Sequence, residues 1–141
     1  MFLKELSGEQ RRMFMALAKR MVLADWRLEP HEQAAIDRVE AELGQSLSVE
    51  AKDLLSNDNL GVLTSRKARR IVMYELLVLA QADLTIDSTE RYVFDDLAEE
   101  LKIEPQTMAK LEELSITGHA LLTAGSNDDQ HRDQVKAVLE A

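Results

Sequence analysis

Residues 71–90 read IVMYELLVLAQADLTIDSTE, and this stretch decides the fold that the sequence predicts. Its first twelve residues are apolar on nearly every side apart from Glu75, which is typical of a buried central helix. Asp87 and Glu90 follow at the spacing of a capping box and predict the start of a second, amphipathic helix. The stretch therefore predicts a helical hairpin.

The same pattern occurs 58 residues earlier in the chain. The segment 24–32 (ADWRLEPHE) aligns with 82–90 (ADLTIDSTE), and both are preceded by an apolar helix and followed by an amphipathic one. Each copy thus reads Ala-Asp-x-x-Leu/Ile-acid-x-x-Glu between two helices. We expect two repeated helical hairpins, over about 8–44 and about 65–102, packed on each other about a pseudo-two-fold axis.

Capping and stop signals place the other helices. Ser7 with Gln10 predicts a first helix from about residue 8 to 24, and Thr64 or Ser65 is the predicted cap of the central helix. The remaining predicted helices cover about 30–43, 48–57, 88–101, a sixth from Pro105, a short seventh over about 117–124 that Gly125 stops, and a last one capped by Ser126 with Asp129. No window alternates with period two, so we predict one all-α domain over 1–141 with seven or eight helices, the C-terminal ones spanning 105–141.

Helical spacing also predicts which side chains form the core. The expected buried residues are Phe14, Leu17, Ala18, Met21 and Val22 in the first helix, Val93, Phe94, Leu97, Ala98 and Leu101 in the fifth, Met108, Leu111 and Leu114 in the sixth, and Val135, Val138 and Leu139 in the last.

Composition excludes several classes of function. The 141 residues contain no cysteine, which removes thiol nucleophiles and cysteine-bound zinc, and 17 Lys and Arg stand against 26 Asp and Glu. A net charge of −9 disfavours nucleic acid as a partner, because phosphate binding needs a basic surface. The acidity is local, since residues 71–104 carry −7 whereas residues 1–70 carry +1.

The sequence gives no sign of export or of membrane insertion. The apolar run after Met1 breaks at Lys4, and the most apolar segment has only 12 residues, fewer than the ~20 that a spanning helix needs. We expect a cytoplasmic protein that does not span a membrane, with peripheral attachment at the inner face of the membrane left open.

The twice-repeated loop motif, with Phe2-Leu3-Lys4-Glu5-Leu6-Ser7 and the Phe14-x-x-Leu17-Ala18 that follows, resembles the tellurite-resistance protein TerB and the wider TerB-like family. That family includes domains attached to membrane-anchored J-domain co-chaperones, and the resemblance covers nearly the whole chain. It implies an all-α fold and a bacterial stress-response role or a membrane-linked complex. Trp26 and Leu84 stand where the family has glycine, so we expect these two loops to turn differently.

The resemblance also implies that a divalent cation such as Ca²⁺ binds through acidic residues of the two loops. These residues are Asp25, Glu29 and Glu32 in the first loop and Asp83, Asp87 and Glu90 in the second. The structural alternative is favoured, because the last two acids of each loop have N-cap and N3 spacing and would cap a helix. The EF-hand pattern is absent from both loops.

Catalysis has less support than binding. The histidines are scattered at His31, His119 and His131, and spacing suggests no Ser-His or Asp-His pairing. The chain has no glycine-rich phosphate loop, and we expect each histidine at the surface. Of the three histidines, His31 is the best candidate for a metal ligand, because acidic residues of the first loop lie near it in the sequence. Glu75 is expected to reach a rim or a partner arginine, and its burial would mark a site.

Two further features suggest contact with other proteins. The cluster Arg66, Lys67, Arg69 and Arg70 lies at a helix N-terminus, where positive charge opposes the helix dipole. Pairing with acidic helices of the same molecule is the favoured explanation, ahead of an acidic partner or anionic lipid. Trp26 either plugs its hairpin or anchors a partner, so the candidate partner-binding residues are Trp26, Arg66 and Arg70.

The sequence therefore predicts a non-enzymatic TerB-like stress-response protein that docks to other proteins, with divalent cations as modulators. It acts as a monomer or a homodimer. The alternative is a divalent-metal-binding protein that uses the loop acids, and a third hypothesis of low weight is a small metal-dependent hydrolase.

Overall fold

The computed structural model describes residues 2–24, 41, 63–81, 88–125 and 128–141. These residues form a short 3-10 helix, Leu3–Glu5, and five α-helices, with no strand among them. The helices are α1 (Gly8–Ala24), α2 (Arg66–Ala80), α3 (Ser88–Glu100), α4 (Pro105–Ala124) and α5 (Asp129–Glu140). The all-α prediction is confirmed.

Helix α2 is the centre of the structure. Every residue from Ile71 to Ala80 is buried, because α1, α4, α5 and the 3-10 helix all pack against it. A helix that is apolar on every side is stable only when other elements surround it. The prediction of a buried central helix is confirmed.

The other helices bury one stripe each. The buried residues on these stripes are Phe14, Leu17 and Ala18 in α1, Phe94, Leu97 and Ala98 in α3, Met108 and Leu111 in α4, and Val135 and Leu139 in α5. Leu101 and Ile103 close the core after α3. Val93, Leu114 and Val138 lie at the edges of their stripes and are half-buried.

Two of the predicted caps form as expected. The backbone N–H of Ser7 donates to Gln10 Oε1 at 2.9 Å, and the N–H of Gln10 donates to Ser7 Oγ at 3.2 Å. Ser65 caps α2 by accepting from the N–H of Ala68 at 3.0 Å. The cap of α5 is Asp128 and not Ser126 as predicted, because the Asp128 carboxylate accepts the N–H of His131 at 3.1 Å.

The predicted break between a sixth and a seventh helix is wrong. Helix α4 runs without interruption over 20 residues, through Thr117 and Gly118. A single internal glycine weakens a helix by only about 1 kcal/mol relative to alanine, and packing against α2 and α5 outweighs that cost. Gly125 ends the helix as predicted, with φ +65°.

The end of α3 is closed by an unusual residue. Lys102 has φ 58°, the left-handed conformation that glycine normally occupies after a helix. The N–H of Ile103 bonds the carbonyl of Ala98 at 2.9 Å, and that of Lys102 bonds the carbonyl of Glu99 at 3.1 Å. This bonding turns the chain sharply into α4, which begins at Pro105.

The second helix of the first predicted hairpin and the short third helix lie outside the described residues, as does the loop 82–87. Within the described part of the chain, α1 packs against both α2 and α3. None of the helices there is long and apolar enough to cross a membrane.

Candidate functional site

The predicted metal ligands lie almost entirely outside the described residues. Asp25, Glu29, Glu32, Asp83 and Asp87 are among the residues that the structure does not describe. Glu90 lies in the first turn of α3. Among the described residues, no three His, Asp or Glu side chains come together as a metal site would require. Cation binding through the two loops stays a prediction.

Trp26 also lies outside the described residues, whereas the basic cluster is well defined. Arg70 donates to the carbonyl oxygens of Val138 at 2.8 Å and of Ala141 at 2.9 Å. Arg66 donates to the same Ala141 oxygen at 3.3 Å. Because the C-terminal carbonyls of a helix carry partial negative charge, these two side chains cap the end of α5.

Lys67 joins three elements. Its ammonium lies 2.9 Å from a carboxylate oxygen of Glu5 and 3.1 Å from one of Glu140. The hydrogen bond to Glu5 is the largest cause of a raised pKa at Lys67, followed by the bond to Glu140. Arg69 donates to the carbonyl of Leu63 at 2.8 Å. The basic cluster therefore bonds to its own molecule, which is the explanation that the sequence favoured.

Glu75 is buried on α2, with 7% of its surface exposed. It does not reach the rim, the first of the two predicted positions, and its carboxylate accepts the backbone N–H of Phe2 at 2.7 Å across 73 residues of sequence. The Phe2 ring packs edge-on against the neighbouring Tyr74 ring at 6.0 Å. Glu75 thus fixes the segment before α1 on the central helix.

Tyr74 and His131 form a second buried polar pair. Tyr74 Oη lies 3.3 Å from His131 Nε2, and the two residues are 1% and 3% exposed. The prediction of a surface histidine at 131 is wrong, because α5 turns this residue toward α2 together with Val135 and Leu139. Burial lowers the pKa of His131, although Asp128 acts in the opposite direction. Burial also raises the pKa of Tyr74, and the charge of Glu75 adds to that effect.

Gly118 makes room for this pair on α4. A Cβ atom at this position would lie 2.3 Å from Tyr74 Oη and 3.4 Å from His131 Nε2. Any larger side chain would therefore displace the tyrosine hydroxyl. The glycine inside α4 has a packing role that its local sequence does not reveal.

A third polar group links α2 to α4. The Gln81 amide donates to Ser115 Oγ at 3.3 Å, and Ser115 donates to the carbonyl of Glu112 at 2.6 Å. Both side chains are buried, so these bonds satisfy polar groups that water does not reach.

The outer surface of α3 and α4 combines an ion pair with two exposed hydrophobic side chains. Arg91 on α3 and Glu112 on α4 form a bidentate ion pair that joins the two helices. Tyr92, next to Arg91, is 70% exposed, and Ile116, one turn after Glu112, is 57% exposed. They are the large hydrophobic residues that the described part of the molecule exposes most.

Acidic side chains surround Tyr92 on its own helix. Asp95 and Asp96 follow it by three and four residues and Glu99 by seven, which places them beside it on the outer face of α3. All three are exposed. We use the name α3 face for Tyr92, Asp95, Asp96 and Glu99 of α3 together with Ile116 of α4.

Signals for two of these features were present in the sequence. His131 precedes Val135 and Leu139 by four and eight residues, the spacing of one helical stripe. Tyr92 falls off the stripe formed by Phe94, Leu97 and Leu101.

A scan against family models found no match to this chain, and searches of curated proteins and of solved structures found none either. The TerB-like resemblance stays a prediction.

Proposed function

We propose that this chain is a non-enzymatic docking domain of the TerB-like type, which works in a stress response by binding other proteins through the α3 face. The observation that carries the proposal is the exposure of Tyr92 and Ile116 on two helices that the Arg91–Glu112 ion pair links at the surface. Aromatic side chains contribute strongly to protein interfaces because they bury a large area with little loss of entropy.

Charge indicates the chemistry of the partner. The α3 face carries three carboxylates, and residues 71–104 as a whole carry −7. Among the described residues, Asp96 and Glu99 have no ion-pair partner. A complementary surface would bear lysine or arginine around an apolar residue. The proposed partner is thus a basic, amphipathic segment of another protein.

The acidic residues of the α3 face also lower the stability of helix α3. Asp95 and Glu99 are like charges four residues apart, and Glu99 lies in the last turn of α3, where negative charge opposes the dipole and no basic side chain offsets it. Each unfavourable term is about 0.3–0.5 kcal/mol. Residues that weaken a helix in this way are typical of surfaces selected for binding.

A defined probe tests the proposal. An amphipathic helical peptide with leucine on one face and lysine on the other is titrated into the full chain, and the same peptide with glutamate for lysine is the control. We expect the lysine peptide alone to bind. The uncharged change Tyr92→Ser with Ile116→Ser should weaken its binding about tenfold, which is the effect of removing a central interface anchor.

A matched charge control separates a local face from general attraction. Asp95→Asn with Asp96→Asn should weaken binding, whereas Asp129→Asn with Asp133→Asn should not, although both pairs remove the same charge from exposed helical positions. Equal effects of the two pairs, or equal binding of both peptides, would refute docking at the α3 face. Tyr92→Ser should also leave the free energy of unfolding within about 0.5 kcal/mol of wild type, and a larger loss would mean that the chain's own residues cover the face.

We further propose the rest of the architecture that the sequence predicts, with two repeated hairpins and, since the predicted sixth and seventh helices form the single helix α4, seven α-helices in all. The packing of α1 against α2 and α3 supports this arrangement, since α1 and α2 are the equivalent first helices of the two repeats. We place the protein in the cytoplasm, as a monomer or homodimer, with a membrane-linked stress complex as the setting of its partner.

Divalent-cation binding is the second candidate function, and the repetition of three acids at an offset of 58 residues favours it. Calorimetric titration with Ca²⁺, Mg²⁺, Mn²⁺ and Zn²⁺, with melting followed in parallel, tests it. Heat and a higher melting temperature that Asp83→Asn and Glu90→Gln abolish would support the metal site and permit a hydrolase assay. No response to any of the four cations would end both hypotheses.

A further inference from the structure

Helix α5 packs against α2 and α4 through one stripe of buried side chains. Its buried residues are His131, Val135 and Leu139. Its C-terminal end is held by Arg70, which bonds the carbonyls of Val138 and Ala141. In the first turn of α5 the buried side chain is that of His131, and the imidazole ring contacts Tyr74 of α2. The N-terminal half of α5 therefore depends on the state of one imidazole.

Helix α4 packs closely against this imidazole. A methyl carbon on Gly118 would approach Tyr74 Oη to 2.3 Å and His131 Nε2 to 3.4 Å. Because Gly118 lies this close to the pair and His131 is only 3% exposed, little water can reach the ring. A charge that forms on the ring would have little hydration to stabilise it.

The charged and titratable groups near His131 come from three helices. On α5, Asp128 favours the protonated ring, and its carboxylate already accepts the N–H of His131. On α2, Tyr74 contacts His131 directly. Glu75 is the next residue of α2 and accepts the N–H of Phe2. Arg70 lies one helical turn before Tyr74. On α4, His119 follows Gly118. Burial outweighs Asp128, so the pKa of His131 is lowered on balance.

Protonation changes what the ring can bond. A neutral imidazole has one donor and one acceptor nitrogen, whereas the protonated ring has two donors and no acceptor. Tyr74 could then serve only as an acceptor, and its own buried hydroxyl proton would need another partner. We propose that α5 is an acid-sensitive element, in which protonation of His131 releases the N-terminal half of the helix from α2 and α4.

The release is local because the helices differ greatly in how much they bury. Helix α2 is buried continuously from Ile71 to Ala80 and keeps α1 and α4 as neighbours when α5 moves. Helix α5 contributes only Val135 and Leu139 as fully buried apolar side chains. Release of the N-terminal half would uncover His131 and the part of α2 and α4 beneath it, while Val135 and Leu139 stay packed and Arg70 keeps the C-terminal end in place. This inference is independent of docking at the α3 face, since it involves no partner.

Hydrogen exchange measured by mass spectrometry tests the inference on the full chain. Protection of amides, corrected for the intrinsic effect of pH, is compared at pH about 7.5 and about 5.0 for peptides from α5 and from α2. Because the released ring binds one more proton than the packed ring, α5 protection should fall by up to about tenfold per pH unit between about 6.5, the ordinary histidine pKa, and the lowered pKa of the packed ring, with α2 protection retained. His131→Gln should abolish the pH effect, whereas His31→Gln and His119→Gln should preserve it.

Several results would overturn the inference. Equal protection of α5 at both pH values, a parallel loss in α2, or a His131→Gln variant that keeps the pH effect would each do so. If His131→Gln does not fold, the ring signal of His131 is followed by NMR in the wild-type protein. Titration at or above about 6.5, the ordinary histidine pKa, would then refute it.

Discussion

Replacing Gly118 by alanine is expected to destabilise the protein, although alanine is the better helix former. In an unconstrained helix this change would stabilise by about 0.8–1.0 kcal/mol. Here the new Cβ would lie 2.3 Å from Tyr74 Oη, closer than any real contact between a carbon and an oxygen. Tyr74 is 1% exposed and packs edge-on against Phe2, so its ring has little room to move.

The size of the effect follows from two costs and one opposing gain. Inserting one carbon into a filled core costs about 1–3 kcal/mol. Displacing the tyrosine hydroxyl also weakens its bond to His131, which adds about 1 kcal/mol. After the gain in helix propensity is subtracted, the net loss is about 1–3 kcal/mol in the free energy of unfolding.

Urea denaturation followed by circular dichroism measures this loss, and Gly8→Ala is the matched control. Gly8 is the first residue of α1, and a Cβ there would meet nothing within 4 Å, so that variant should be as stable as wild type or more stable. In a Tyr74→Phe background the hydroxyl is absent and the nearest remaining ring carbon lies at 3.3 Å. The cost of Gly118→Ala should then largely vanish, as a double-mutant cycle would show. A Gly118→Ala variant at least as stable as wild type would refute the reasoning.

Three other predictions concern single contacts, each measured as a free energy of unfolding. Lys102→Gly should stabilise by about 0.5–1 kcal/mol because glycine adopts φ 58° without strain, and a loss of stability would contradict this. Arg70→Met should cost about 1–2 kcal/mol by removing two charged hydrogen bonds to the end of α5, whereas Arg132→Met, at an exposed position of α5, should change little. Glu112→Gln should cost about 0.5–1 kcal/mol at neutral pH, since Arg91 lowers the pKa of Glu112 and stabilises the folded state above the unfolded pKa. That cost should shrink as the pH falls below about 4.5 and through the lowered pKa, and a cost independent of pH would argue against the ion pair.

The sequence by itself determined the features that depend on near neighbours in the chain. The capping pair Ser7 and Gln10, the cap Ser65 and the stop at Gly125 are formed within a few residues, so local spacing specifies them. The apolar faces of α1, α3 and α5 follow from helical periodicity in the same way. The all-α class was predictable for this reason, and so was the central position of α2.

The tertiary structure decided which distant residues meet. Phe2 and Glu75 are 73 residues apart and Tyr74 and His131 are 57 apart, and no local pattern states that these pairs touch. Local rules placed Glu75 at a rim or beside an arginine and His131 at the surface, because a polar side chain is usually exposed when its own helix offers no partner. A partner on another element makes burial favourable, and only the packing of the helices supplies one. The same reason explains which atoms the basic cluster bonds, since Arg66 and Arg70 reach carbonyl oxygens at the end of α5, and why Gly118 lies inside α4.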